Sequence, residues 1–136
     1  MCMVRFIVDR GPIMLTAFAC VALAVYHEAR SEPIEGQIAV AQVIMNRVTD
    51  DRYPDTPCDV VFQYKQFSFY WDGKSDTPFN ETAWAEAERA ANLVMFDGLY
   101  LPVLEGIVHY HGDYVTPSWA QQMAVVYTVG RHVFVL

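Results

Sequence analysis

From Pro12 to Tyr26 the chain carries no charged side chain. Apolar residues fall on every side of that segment, and Pro12 suits a helix's first turn, so Ile13–Tyr26 reads as a buried core helix. It is shorter than the ~20 residues a membrane span needs. A second helix is predicted from Pro33, again with proline in the first turn and with Glu32 at the cap position. Along it Ile34, Ile38, Ala41, Met45 and Val48 recur at helical spacing and mark one buried face. Glu35, Gln42 and Asn46 lie off that face, and Arg47 with the Asp50–Asp51 pair ends the helix. Residues 50–80 are rich in Pro, Asp, Gly and aromatics, which predicts an ordered, loop-rich region with a short helix near Asp59–Gln63. A third helix starts around Thr77–Pro78 or Asn80 and runs to Phe96, with Trp84, Ala87, Ala91 and Val94 inward and Asp97–Gly98 as the stop. Beyond it Gly106–His111, Ala124–Val129 and His132–Leu136 are short β-rich runs, the last two joined like a hairpin at Gly130–Arg131. Pro117–Gln122 is expected to form a helical turn. The pattern as a whole predicts an α+β fold, a helical body with a small antiparallel sheet.

Length and composition add limits. The 136 residues, 54% hydrophobic and 18% charged, suit one globular domain over 1–136, with residues 1–11 expected to be a flexible N-terminal segment. A formal net charge of −7 argues against nucleic acid and against electrostatic binding to an anionic membrane or polymer. A polysaccharide partner would therefore be held by groove contacts. Three cysteines are an odd number without zinc-knuckle spacing. Cys20 is expected in the core, Cys58 in a loop or helix start and Cys2 at the terminus, with no disulfide framework. Arg5 and Arg10 precede the apolar run and Ala22-Leu23-Ala24 imitates a signal-peptidase site. Cleavage there would remove the helix that supports the next segment, so the chain is read as lacking an export address of its own.

The residues with chemistry cluster around Tyr26–Gln37. His27-Glu28 begins like a zincin motif, but the second histidine is absent, since Ser31 stands where the spacing requires it. His109 and His111 project on one side of a strand, with Asp113 near, which is the donor set of a two-histidine, one-carboxylate metal site. The preferred reading is a hydrogen-bonded pair lining a cleft, with no metal and no cofactor. No Gly-rich phosphate loop or Gly-x-Ser-x-Gly elbow is present. Glu28 ends an uncharged helix, where burial and the negative end of the helix dipole both favour the protonated carboxyl. That would suit a general acid, and the alternative is an ordinary ion pair at a helix end. Arg30 is expected to pair with Glu32 or Glu35 instead of Glu28. Aromatic side chains at Phe67, Phe69, Tyr70, Trp71, Tyr110, Tyr114 and Trp119 flank Gln66, Ser68, His111 and Asp113, a mixture suited to sugar rings.

The segment YHEARSEPIEGQIAVAQVIMNRV closely resembles the opening motif of the SleB/CwlJ-type cell wall hydrolases, the spore cortex-lytic enzyme family. YPDTPCDVVFQ at 53–63, QFSF at 66–69, HYHGDYVTPSWA at 109–120 and VGRHVF at 129–134 follow in that family's order. Ser31 departs from the usual glycine of Glu-Ala-Arg-Gly-Glu, and Phe69 from a common tryptophan. The resemblance implies a lysozyme-like, transglycosylase-type fold acting on peptidoglycan glycan strands, with Glu28 as the acid. It implies cleavage of the β-1,4 bond between N-acetylmuramic acid and N-acetylglucosamine, as a lytic transglycosylase forming 1,6-anhydro-muramic ends. The alternatives are a hydrolytic muramidase and a non-catalytic glycan-binding module. Gln66, Ser68, Tyr110, His111 and Trp119 are the expected groove residues. The chain is expected to act as a monomer on the cell wall, with a phage endolysin as the suggested setting.

Overall fold

The computed structural model describes residues 15–63 and 80–136. Helix α1 (Ala17–Ala29) begins at Thr16, whose hydroxyl accepts the Ala19 N–H at 3.0 Å. Such a cap stabilises a helix by about 1 kcal/mol. Every residue from Ala19 to Tyr26 is buried, so α1 is the central rod predicted for it, but it is shifted along the chain. Leu15 and Thr16, predicted inside it, precede it, and it runs one turn further at its C-terminal end. It packs against α2 (Ile34–Val48), α3 (Pro57–Val61) and α4 (Glu81–Met95).

Helix α2 differs from its predicted single stripe. Gly36 to Ile44 is buried all round, whereas Ile34 is exposed and Met45 and Val48 are half-buried. Its cap residue is Pro33, with no side-chain capping bond, so Glu32 is not the cap. The polar residues placed off the stripe turn inward and hold the connection that leads into the sheet. Gln42 donates to the Leu101 carbonyl at 3.1 Å and accepts the Leu101 N–H at 2.8 Å. Asn46 donates to the carbonyls of Leu104 and Ile107, both at 2.8 Å, and Arg47 Nε donates to Val108 at 2.9 Å. Each satisfies backbone groups that would otherwise be costly to bury. Together they fix where the first strand starts.

Helix α3 begins as Thr56 accepts the Asp59 N–H, two residues ahead of the predicted start. It carries a correction: Cys20 in α1 and Cys58 in α3 form a disulfide, with Cα atoms 5.2 Å apart. Closing a loop of 38 residues contributes roughly 4 kcal/mol by the chain-entropy estimate. Helix α4 starts at Asn80, whose side chain accepts the Ala83 N–H, and buries Trp84, Ala87, Ala90 and Ala91. Val94, the fourth residue predicted inward, is half-buried, and Gly98 follows at φ +72°.

The sheet has strands β1 (His109–Gly112), β2 (Val125–Val129) and β3 (His132–Val135), in the order β1-β3-β2 and antiparallel throughout. Short 3-10 turns at Pro102–Leu104 and Ser118–Ala120 precede and follow β1. Phe134, opposite Tyr110 in the register, is fully buried against the helices. Gly130, at φ +55°, makes the β2–β3 turn. That turn reaches back to the α1–α2 joint.

Candidate active site

The joint is built by one backbone reversal. Ser31 has φ +76°, the left-handed region, and is the one non-glycine residue there among those described. A side chain in that conformation costs on the order of 1–2 kcal/mol, so serine in the family's glycine position adopts the backbone that glycine favours. The reversal leaves Glu28, half-buried on the last turn of α1, next to the first strand. Tyr110 of β1 donates its hydroxyl to Glu28 Oε1 at 2.9 Å. Burial, and then the Glu28 charge, push the Tyr110 phenol well above its ordinary pKa. It therefore remains a donor across the accessible pH range.

Arg30 does not pair as expected. Its Nη1 donates to the Tyr26 hydroxyl at 2.9 Å, and its guanidinium lies 5.0 Å from that ring's centre. The same hydroxyl accepts the Asn80 N–H at 3.1 Å, joining the joint to the start of α4. The neighbouring glutamates have partners of their own. Glu35 accepts the Tyr127 hydroxyl, which raises that phenol to about 12. Glu32 Oε1 accepts the Arg131 N–H at 2.6 Å and lies 3.6 Å from His132 Nδ1.

Two groups near Glu28 were not singled out from sequence. Buried His132 meets the edge of Tyr110 at 5.2 Å between ring centres. Burial pushes its ring below the ordinary histidine value, against the raising pull of Glu32, the Glu28 carbonyl and Asp113. Arg47, also buried, stacks 4.9 Å from the Tyr53 ring centre. Burial lowers its pKa, while Tyr53, Tyr110 and Glu28 oppose that shift. His132 could have been noticed in VGRHVF as a polar residue on a strand that must be buried. Arg47 ends an apolar helix and reads from sequence as a surface stop.

The opposite face of β1 is different in kind. His109 and His111 point away from Tyr110, and the Trp119 ring centre lies 5.6 Å from one and 6.0 Å from the other. Trp119 is 51% exposed. His111 Nδ1 lies 2.8 Å from the Gly112 carbonyl, and Asp113 pairs with Arg131 at 3.1 Å, so the trio does not converge. Among the described residues no group of three or more His, Cys, Asp or Glu side chains is arranged to hold a metal ion. Gln66 and Ser68 lie outside the described residues. Of the predicted site residues, Tyr110 meets Glu28 directly, while His111 and Trp119 pack together across the strand.

No helix among the described residues is long and apolar enough to cross a membrane. Residues 31–135 match the Cell Wall Hydrolase family. The spore cortex-lytic enzyme of Bacillus subtilis (strain 168) is 35% identical over 113 residues, covering 83% of this chain and 35% of that protein. The chain spans about two fifths or less of the curated relatives of that name from Oceanobacillus iheyensis and Bacillus subtilis. The catalytic domain of the Bacillus cereus SleB protein superposes with a TM-score of 0.69 at 31% identity, over 92% of this chain and 94% of that one. The catalytic domain of the germination-specific lytic transglycosylase SleB from Bacillus anthracis gives 0.70 at 31% identity, over 93% and 98%. The α+β fold, with its helical body and three-stranded antiparallel sheet, is that of the lysozyme-like SleB catalytic domains, and the chain belongs to the Cell Wall Hydrolase family.

Proposed function

We propose that this chain is a single catalytic domain over 1–136 that cleaves peptidoglycan between N-acetylmuramic acid and N-acetylglucosamine, as a lytic transglycosylase with Glu28 as its acid/base. The observation that carries the reading is the Tyr110 hydroxyl on Glu28 Oε1 at 2.9 Å, at the end of an otherwise apolar helix. That bond fixes the carboxyl group's orientation in either protonation state. The Glu28 carboxyl gives its proton to the glycosidic oxygen as the bond from muramic C1 breaks. The resulting carboxylate then takes the proton of the same sugar's 6-hydroxyl, whose oxygen attacks C1 and closes the 1,6-anhydro ring. Acid and base are one residue, and no water is consumed.

A hydrolytic muramidase would ordinarily need a second carboxylate flanking the bond. Among the described residues the candidates Glu32, Glu35 and Asp113 are each engaged, by the Arg131 backbone, by Tyr127 and by the Arg131 side chain. That arrangement favours the single-carboxylate route. Among groove residues, Trp119 and His111 offer an aromatic platform with a polar edge, and Gln66 and Ser68 are carried on the sequence resemblance. Action on the exported side of the membrane fits the Cys20–Cys58 disulfide, since such bonds persist in oxidising compartments. We propose a monomer there. Purified Glu28→Gln tests the proposal. Lysis of cell walls should be lost while the circular dichroism spectrum and glycan binding stay; undiminished lysis would overturn it. A chelator should leave the wild-type rate unchanged.

A further inference from the structure

We propose that Glu32 and His132 form a positioning pair that clamps the β2–β3 turn onto the α1–α2 joint and thereby sets the geometry of Glu28. The inference rests on the reading of Glu28 as the acid/base. His132 reaches the Glu28 carboxyl group through its edge contact with the Tyr110 ring, whose hydroxyl holds that carboxyl. Glu32, four residues further along the chain, holds the hairpin that carries His132 through the Arg131 N–H. The turn is shaped around that carboxylate: a Cβ added at Gly130 would lie 2.2 Å from Glu32 Oε1. A side chain there would push the Glu32 carboxylate off the turn, and the positive φ independently favours glycine.

The third observation is an orphaned nitrogen. His132 Nδ1 is buried, has no hydrogen-bond partner, and lies 3.6 Å from Glu32 Oε1, beyond hydrogen-bonding distance. A neutral imidazole has one N–H. With that N–H on Nε2, Nδ1 presents a lone pair to a carboxylate oxygen, which holds the two apart. A proton on Nδ1 converts that contact into a charge-assisted hydrogen bond. The groups facing the ring are Glu28 on α1, Glu32 at the joint, Tyr110 on β1 and Asp113 after it, with Arg131 beside it in the turn, paired to Asp113. The pair is therefore charge-sensitive, and its state is passed to Glu28 through the ring.

Nitrogen-15 NMR of the His132 ring across pH, with kcat and KM for wall lysis over the same range, tests this in wild type, Glu32→Gln and Glu32→Ala. The glutamine can still accept the Arg131 N–H and can donate its amide to the neutral ring. We expect Glu32→Ala to lose kcat by on the order of 10- to 100-fold with little change in KM, as for a displaced catalytic group. Glu32→Gln should restore most of that loss and remove the inflection that His132 gives the pH–rate profile. In both variants the His132 titration should move to lower pH, because a neighbouring negative charge is gone. A Glu32→Gln enzyme as inactive as Glu28→Gln would overturn the proposal and make Glu32 a catalytic carboxylate. An unmoved His132 titration would also overturn it. The NMR titration does not depend on lysis, so failure of the pair is distinguishable from failure of the proposed activity, and Glu32→Gln decides if Glu32→Ala does not fold.

Discussion

The two faces of β1 carry similar residue types and have different physical characters. On the inner face Tyr110 is joined to Glu28, His132 and Phe134, and its hydroxyl has a named protein partner. On the outer face His109 and His111 border the half-exposed ring of Trp119. A buried polar network holds one geometry because unsatisfied groups are costly there, whereas an open aromatic platform keeps its capacity for a ligand. The inner face is therefore suited to orienting a reacting group, and the outer face to holding something that comes and goes.

Substitutions should separate the two by what they change. Tyr110→Phe keeps the ring packing and removes the donor on Glu28, so kcat for wall lysis should fall by roughly 100-fold, with KM and fold little altered. Trp119→Ala should instead raise KM by about tenfold at nearly unchanged kcat, the loss expected for one ring contact. A large kcat loss from the tryptophan, or none from the tyrosine, would break the distinction.

Acid should probe both faces through histidine. Burial lowers His132, and burial followed by Arg47 and Arg52 lowers His109. For each, the unfolded chain binds a proton below about pH 6.5 that the folded chain resists, so stability rises with pH through that window. It is fully present above the unfolded value and is lost as pH falls towards the folded one. Urea unfolding should show that slope, and His109→Gln should flatten part of it. Glu32 and the Glu28 carbonyl oppose the shift at His132, while His109 has no such compensation among the causes of its shift.

The smallest effect lies at the joint that feeds the inner face. Ser31→Gly relieves the φ +76° backbone but adds freedom to the unfolded chain. Thermal unfolding should show a net gain of about 0.5–1 kcal/mol. A loss would mean that the serine side chain supports the joint in some other way.

Periodicity located the helices and strands, and strand alternation correctly set His109 and His111 on one side. What it missed depends on long-range contacts. Gln42, Asn46 and Arg47 look like a solvated side of α2 until the 101–108 segment packs there and supplies carbonyls. Cys20 and Cys58 show no relation at a separation of 38 in a set of three cysteines. Glu32 resembles a cap by position, yet its partner is the Arg131 N–H, 99 residues away. The catalytic candidate itself was legible, since a lone carboxyl group after an uncharged helix is a local signal. Tyr110 was picked out only as a groove residue and His132 not at all, since the sheet delivers both to the joint.

The central claim is that one carboxyl group serves as both acid and base, so water should not enter the product. Digestion of purified peptidoglycan in oxygen-18 water, followed by mass spectrometry of the muropeptides, tests this directly. The account predicts 1,6-anhydro-muramic ends without label; labelled reducing ends would contradict it and require a second catalytic group to activate water.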